Sequence, residues 1–312
     1  DGYANSNYRM TTQYDPNASA IDTRYCEDGW FTSTMPDLNQ SNPKTLTYLI
    51  QNAIWWIEYS GLDGFRVDTY SYNDKEGIAN WTKAITDEYP NFNIVGEVWL
   101  HNQAQIAYWQ KDSKIGALQN FNSHCPSVMD FTLHDAIGVM FKEDNASWND
   151  GMIKAYDNFV NDFLYQDIDN LMVFAENHDT GRINEIYNGS LDHYKLAMTL
   201  VATTRGTPQI YYGSEIGMRG DKGKGDGDRQ GARARHQPRG ARGWQRGRGA
   251  RVLWRHLRLH APRTLRNHGV HRPRRPVRAA MMPAEWLRRR PARSRPPCSC
   301  SLPAAAEPLL RR

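Results

Sequence analysis

The sequence predicts an α/β fold in which helices cover a parallel sheet that is part of a (β/α)8, or TIM, barrel. Two observations predict it. Short apolar runs alternate with helical stretches along 41–228, the pattern of a parallel sheet with helical cover. Several of these runs also end in charged or polar residues: Asp68, Glu97 and the run Asn177-His178-Asp179. C-terminal strand ends are where such barrels carry their chemistry.

The elements follow in order. Asn42-Pro43 opens a helix, because Asn caps and Pro is tolerated at the first helical position. Leu46, Leu49, Ile50, Ala53, Ile54 and Ile57 recur at helical spacing, and Gly61 is a natural stop. A short strand covers 64–68, a helix 75–88 ends before Pro90, and a second strand covers 93–97. Residues 128–131 read as a third strand, with helical patterns over roughly 133–142 and 150–165. Residues 171–174 read as a fourth strand, 191–204 as a helix and 208–212 as a fifth strand. About five strands are legible where a closed barrel has eight. Residues 1–40 read as loop rather than as the missing strands.

Composition bounds the function. The chain has 312 residues, 39% hydrophobic and 23% charged, which excludes wholesale disorder and a collagen-like fibre. No apolar run reaches the length of a membrane-spanning helix. The first ten residues, DGYANSNYRM, do not make a signal peptide. Cys26, Cys125, Cys298 and Cys300 are too few and too irregular for a disulfide framework or a zinc site.

The net charge of +5 conceals two unlike pieces. After Asp228 the chain holds 23 Arg, no Lys, and only Glu285 and Glu307 as acids. Three readings of 229–312 compete. A basic arm would bind nucleic acid, but base-stacking aromatics are nearly absent. A solvated, disordered tail is the plainer reading. The third is a GC-rich gene read out of frame, since Arg, Ala, Pro and Gly are the residues of GC-rich codons. The abrupt change near Asp228 favours the third. The stretch is expected to be unstructured, and no nucleic-acid or membrane partner is expected.

The carboxylates carry the chemistry. Asp68 and Glu97 end consecutive strands and can face each other. A carboxylate pair about 5–5.5 Å apart is the arrangement of a retaining glycosidase, one acid attacking carbon and the other protonating the leaving oxygen. Asp179 would reach the same site from a later strand. Arg66, two residues before Asp68, lies on the same strand face and favours an ionised carboxylate. Singly, each has a plainer explanation: a strand-end Asp is usually a cap or loop residue, and His178 reads equally as a structural histidine. The constellation is the stronger signal. Tyr70, Tyr72 and Trp99 sit just beyond strand ends, where flat aromatic faces suit sugar rings, although ordinary packing explains most aromatics.

These residues resemble a known family. Gly64-Phe65-Arg66-Val67-Asp68, Gly96-Glu97-Val98-Trp99 and Phe174-Ala175-Glu176-Asn177-His178-Asp179 look like three ordered signatures of the α-amylase family, family 13 of the glycoside hydrolases. Met35-Pro36-Asp37-Leu38-Asn39 and the run Tyr211-Tyr212-Gly213-Ser214-Glu215-Ile216-Gly217-Met218 resemble two more. The resemblance implies Asp68 as nucleophile, Glu97 as acid/base and Asp179 as transition-state stabiliser. Arg66 and His178 would be supporting site residues, and with the aromatics Tyr70, Tyr72 and Trp99 read above they would bind substrate. It implies a (β/α)8 barrel whose fourth to eighth strands are those legible here. Residues 1–40 would then be the end of an inserted loop domain, and 41–228 the C-terminal portion of the catalytic barrel. The substrate would be an α-glucan: starch oligosaccharides, pullulan or cyclodextrins. Met35 and the run from Asp68 to Tyr72 lean towards neopullulanases and cyclomaltodextrinases. No cofactor is implied for the chemistry; a structural calcium is implied for a full-length member.

Departures carry expectations too. The family's first signature, Asp-x-x-x-Asn-His, is absent, so the chain reads as N-terminally truncated. Tyr72 stands where many members carry His, which bears on specificity. A five-strand fragment has exposed edges and is expected to fold poorly and lack activity alone. A transglycosylase and a non-catalytic carbohydrate-binding member remain the alternatives to a hydrolase.

Overall fold

A computed structural model describes residues 4–145 and 147–224. The expectation of an unstructured tail over 229–312 falls outside the described residues.

Before the first strand come helix α1 (Ala20–Glu27) and helix α2 (Pro43–Ser60). α2 is built as its sequence dictates. The Asn42 side chain accepts the Lys44 N–H at 3.0 Å, Pro43 takes the first position, and Gly61 ends the helix at φ 63°. Strand β1 (Gly64–Val67) follows, then α3 (Lys75–Glu88), capped where Asp74 accepts the Gly77 N–H at 2.6 Å. Strand β2 (Asn93–Gly96) leads into α4 (Gln103–Tyr108) and α5 (Lys114–Ala117). Strand β3 (Ser127–Val128) is followed by α6 (Phe131–Met140) and α7 (Ile153–Phe159). Strand β4 (Met172–Phe174), α8 (Ile183–Ile186), α9 (Leu191–Thr203) and β5 (Thr207–Gln209) complete the alternation.

The five strands are parallel and lie side by side in chain order. β1 pairs with β2 and β2 with β3, while β4 pairs with β5. One parallel bridge, Met129 to Met172, joins the two sheets. Parallel order requires a crossover between neighbours, and the helices supply it. One apolar cluster includes Tyr70, Ile94, Trp109, Val128, Phe131 and Phe174. A second includes Leu133, Ile137, Val173, Ala197 and Val201. Burial of each large aliphatic side chain contributes about 1.5–3 kcal/mol.

Four expectations need correction. Residues 4–40 are not all loop: they hold α1 and a 3-10 turn over Met10–Gln13. This segment is tied to the rest by the Gln13 side chain donating to the Ser71 carbonyl and the Trp109 indole donating to the Tyr14 hydroxyl, both at 2.8 Å. The third strand is only Ser127–Val128, because Asp130 accepts the Leu133 N–H at 2.9 Å and starts a helix at Phe131. The helix expected over 150–165 stops at Phe159, and a 3-10 turn follows over Asp162–Leu164. There Arg205 holds the Asp162 carboxylate at 2.6 Å. The fifth strand ends at Gln209, and Tyr211 turns its ring under the Arg182 guanidinium, 4.1 Å from it. Among the described residues no helix is long and apolar enough to cross a membrane.

Candidate active site

The site lies just past the ends of β1, β2 and β4. Asp68 follows Val67, the last residue of β1. Register fixes its neighbour: Val67 pairs with Gly96, so Glu97 leaves β2 beside Asp68. The Glu97 N–H donates to the Val67 carbonyl at 2.9 Å, and the Tyr70 N–H donates to the Glu97 carbonyl at 3.1 Å. Asp179 arrives from the loop after β4. Carboxylate oxygens of Asp68, Glu97 and Asp179 all lie within 4.8 Å of one another.

Arg66 sits among them. Its Nη1 donates to Asp68 and its Nη2 to Glu97, while Asp179 Oδ2 lies 3.7 Å from Nη2. The second oxygen of Glu97 accepts the Thr69 backbone N–H at 2.9 Å. The acids differ in surroundings. The Asp68 side chain is 55% exposed and that of Glu97 only 7%. Burial pushes the Glu97 carboxyl up from its ordinary value. The Thr69 N–H and the Arg66 guanidinium pull it back, and the Asp68 charge pushes it further up. A buried carboxyl of raised proton affinity beside a more exposed one is the division of labour that acid and nucleophile require.

His178 Nε2 lies 2.9 Å from Asp179 Oδ2. The Asn177 side chain accepts the N–H of Asp179 at 2.8 Å and of Thr180 at 3.0 Å, a local turn that sets the Asp179 backbone. A cavity of about 420 Å³ opens beside the site, lined by Arg66, Asp68 and Thr69 on one wall and by Ala53 and Trp56 of α2 on the other.

The aromatic expectations divide. Tyr72 is half-buried, its ring 5.1 Å edge-on from Phe31 and 6.5 Å from Tyr8. Trp99 is half-buried, stacked on Phe131 at 4.8 Å, with the Lys222 ammonium 5.2 Å over its ring. Tyr70 corrects the expectation of a substrate contact, because it is fully buried. Its hydroxyl pairs with Thr82 at 2.8 Å and donates to the Ser123 carbonyl at 3.2 Å. Its ring fills the space where a side chain on Gly96 would stand, 2.9 Å from a built Cβ. The backbone of Tyr70 serves the site and its side chain serves the core.

Sequence reasoning missed the backbone of Thr69, which no residue-type pattern announces. It also missed the parts that Glu176, Arg182 and Ser214 play behind the loop of Asp179. For a metal ion at the acid cluster the fit is poor. Among the described residues, Asp68, Glu97 and Asp179 are the group of side chains close enough to share an ion. The guanidinium of Arg66 already supplies positive charge to all three.

The sequence matches the family described as "Alpha amylase, catalytic domain" over residues 24–254. It is 34% identical over 200 residues to "Alpha-amylase 3" of Dictyoglomus thermophilum, covering 62% of this chain and 36% of that protein. It is 27% identical over 190 residues to a cyclomaltodextrinase of a Bacillus species, covering 61% and 31%. A neopullulanase of Thermoactinomyces vulgaris is 29% identical over 188 residues, with 60% and 29% covered. The chain thus spans about a third of the length of the curated relatives it matches. Among solved structures, the α-amylase of Geobacillus thermoleovorans in complex with acarbose aligns with a TM-score of 0.58 at 27% identity. That alignment covers 76% of this chain and 51% of the other.

Proposed function

The chain belongs to the α-amylase catalytic-domain family, and on that premise we propose that it carries the catalytic acids of a retaining α-glucan hydrolase. The observation that carries the reading is the cluster of three carboxylates within 4.8 Å around one guanidinium. The carboxylates are close enough for attack and protonation on one glycosidic bond without a water between them, which is the retaining arrangement. The five parallel strands are read as consecutive strands of a (β/α)8 barrel, whose C-terminal ends form the site.

Each group has a task. Asp68, exposed and held by Arg66, attacks the anomeric carbon and forms a glycosyl ester. Glu97, whose proton affinity burial raises, gives a proton to the departing sugar oxygen. It then takes a proton from the water that opens the ester. Asp179 balances the positive charge that develops on the sugar ring in the transition state of each step, while Arg66 holds Asp68 in place. His178, beside Asp179, donates to a sugar hydroxyl, and Trp99 and Tyr72 line the cleft. The chemistry runs on side chains; calcium, where the protein binds it, is assigned a structural part. The substrate class is starch-type oligosaccharide, pullulan or cyclodextrin, supported by the names of the amylase, cyclomaltodextrinase and neopullulanase relatives. A transglycosylase is the second reading, since another sugar can open the same ester in place of water.

The chain taken alone is proposed to be inactive. The cavity between α2 and β1 admits water beside Asp68, and water weakens every electrostatic interaction in such a site.

A paired experiment tests the proposal. Residues 41–224 replace the matching segment of the Bacillus cyclomaltodextrinase, and maltooligosaccharide hydrolysis is followed with product anomers read by proton NMR. The expected outcome is turnover with retained α-configuration that Asp68→Asn removes, and no turnover by 1–312 alone. A chimera whose turnover survives Asp68→Asn overturns the assignment. Disproportionation outrunning hydrolysis at high substrate favours the transglycosylase.

A further inference from the structure

We infer that Glu176 and Arg182, a fully buried ion pair outside the acid cluster, are positioning residues for Asp179. This rests on the reading of Asp179 as a site acid.

Asp179 stands on the loop that leaves β4. The base of that loop is closed by one side chain: Glu176 Oε2 accepts the Ile183 N–H at 2.6 Å, seven residues on. Its other oxygen, Oε1, accepts from Arg182 Nη1 at 3.1 Å and from the Ser214 hydroxyl at 2.5 Å. Side-chain exposure is 2% for Glu176 and 0% for Arg182. Arg182 also reaches the segment after β5, with its Nη2 3.5 Å from Met218 Sδ and its backbone N–H donating to the Gly220 carbonyl at 3.2 Å. The loop is therefore cinched at its base and bolted to the next strand's loop. Between its ends Asn177 forms the turn that presents His178 and Asp179.

A buried pair of this kind adds little net stability compared with apolar residues of the same volume. It does impose geometry. A carboxylate that accepts donors from residues 182–183 and from Ser214 fixes the mutual positions of those two segments, and a misplacement of about 1 Å at a catalytic group costs about 100-fold in rate. Asp179 has no hydrogen bond to the cinch itself, so Glu176 and Arg182 act on it only through the loop backbone.

The test reads Asp179 without needing turnover. The 1–312 chain is labelled with 15N-histidine, and the His178 signal is assigned by its loss in His178→Asn. Asp179→Asn gives the signal of His178 without its carboxylate neighbour. Glu176→Gln is expected to move the His178 Nε2 resonance most of the way to the Asp179→Asn position and to lower the melting temperature by about 10 °C. Because Glu176→Gln removes the charge that Arg182 Nη1 faces, Glu176→Gln/Arg182→Met is measured as well. It is expected to recover most of the melting temperature while the His178 resonance stays displaced. A His178 signal unchanged in folded Glu176→Gln, or one that returns together with stability in the double variant, overturns the inference. Insensitivity of the parent signal to Asp179→Asn overturns it too. Loss of Asp68-dependent turnover from the chimera sinks the proposed function instead, and the two failures are read on different instruments.

Discussion

The Thr69 backbone N–H donates to Glu97 Oε2 at 2.9 Å from a residue whose φ is 46°. A β-branched residue in the left-handed region is strained, and strain of this kind is held where surrounding contacts over-determine it. Here the Tyr70 N–H grips the Glu97 carbonyl one residue on, at 3.1 Å. The left-handed turn aims two successive amides at one glutamate.

Replacement of Thr69 by Gly tests the strain. Glycine adopts this φ freely, while the left-handed form costs other residues about 1–2 kcal/mol. Part of that gain is offset by the greater freedom of glycine in the unfolded chain. Thr69→Gly is expected to stabilise by about 0.5 kcal/mol, read as a small rise in the urea midpoint. A fall of 1 kcal/mol or more, on the order of a lost hydrogen bond, would mean the threonine side chain is needed there.

Tyr70→Phe separates the two uses of that residue. It removes the hydroxyl that pairs with Thr82 and Ser123 and leaves the ring and backbone in place. Stability is expected to fall by about 1 kcal/mol, with acarbose affinity of the chimera unchanged in calorimetry. A tenfold loss of affinity would restore Tyr70 as a sugar contact.

Glu27 gives the chain a pH dependence outside the three-acid cluster. Burial, against the pull of the Lys75 charge, raises its carboxyl to about 7. Its unfolded value is near 4.3, so between these values the native state binds the extra proton. Stability linked to Glu27 is therefore complete below about pH 4.3 and is lost as pH rises to about 7. Glu27→Gln is expected to flatten that limb of the melting-temperature profile. A profile with the same slope in the variant would assign the effect elsewhere.

Arg205 joins segments far apart in the chain. It reaches Asp130 at 2.8 Å and Asp162 at 2.6 Å, and Asp130 is fully buried as the cap of α6. Removing one partner of a buried pair leaves the other charge uncompensated, at about 3–5 kcal/mol. Arg205→Ala is expected to lose that much in urea unfolding. A loss below 1 kcal/mol would show the site is well hydrated in solution.

Much of the fold and site was legible in order. Capping chemistry at Asn42 and Gly61 bounded α2, because those signals act through the nearest backbone groups. Asp68, Glu97 and Asp179 stood out because strand ends follow from short-range apolar pattern. The third strand was misread, since Val128-Met129-Asp130-Phe131 has strand composition and only the Asp130 side chain, committed to the Leu133 N–H, turns it into a helix start. The aromatics past the strand ends looked alike, yet Tyr70 is fully buried and Tyr72 only half-buried.

The sequence by itself determined which strand ends carry acids and the order in which strand and helix alternate. Both depend on side-chain type and local spacing. Tertiary structure alone decided what lies beside what. Parallel register placed Glu97 next to Asp68, and a loop from β4 brought Asp179 to within 4.8 Å of both. The burial that separates the proton affinity of Glu97 from that of an exposed carboxylate belongs to that packing. Desolvation is a property of surroundings, and no residue carries it in its name.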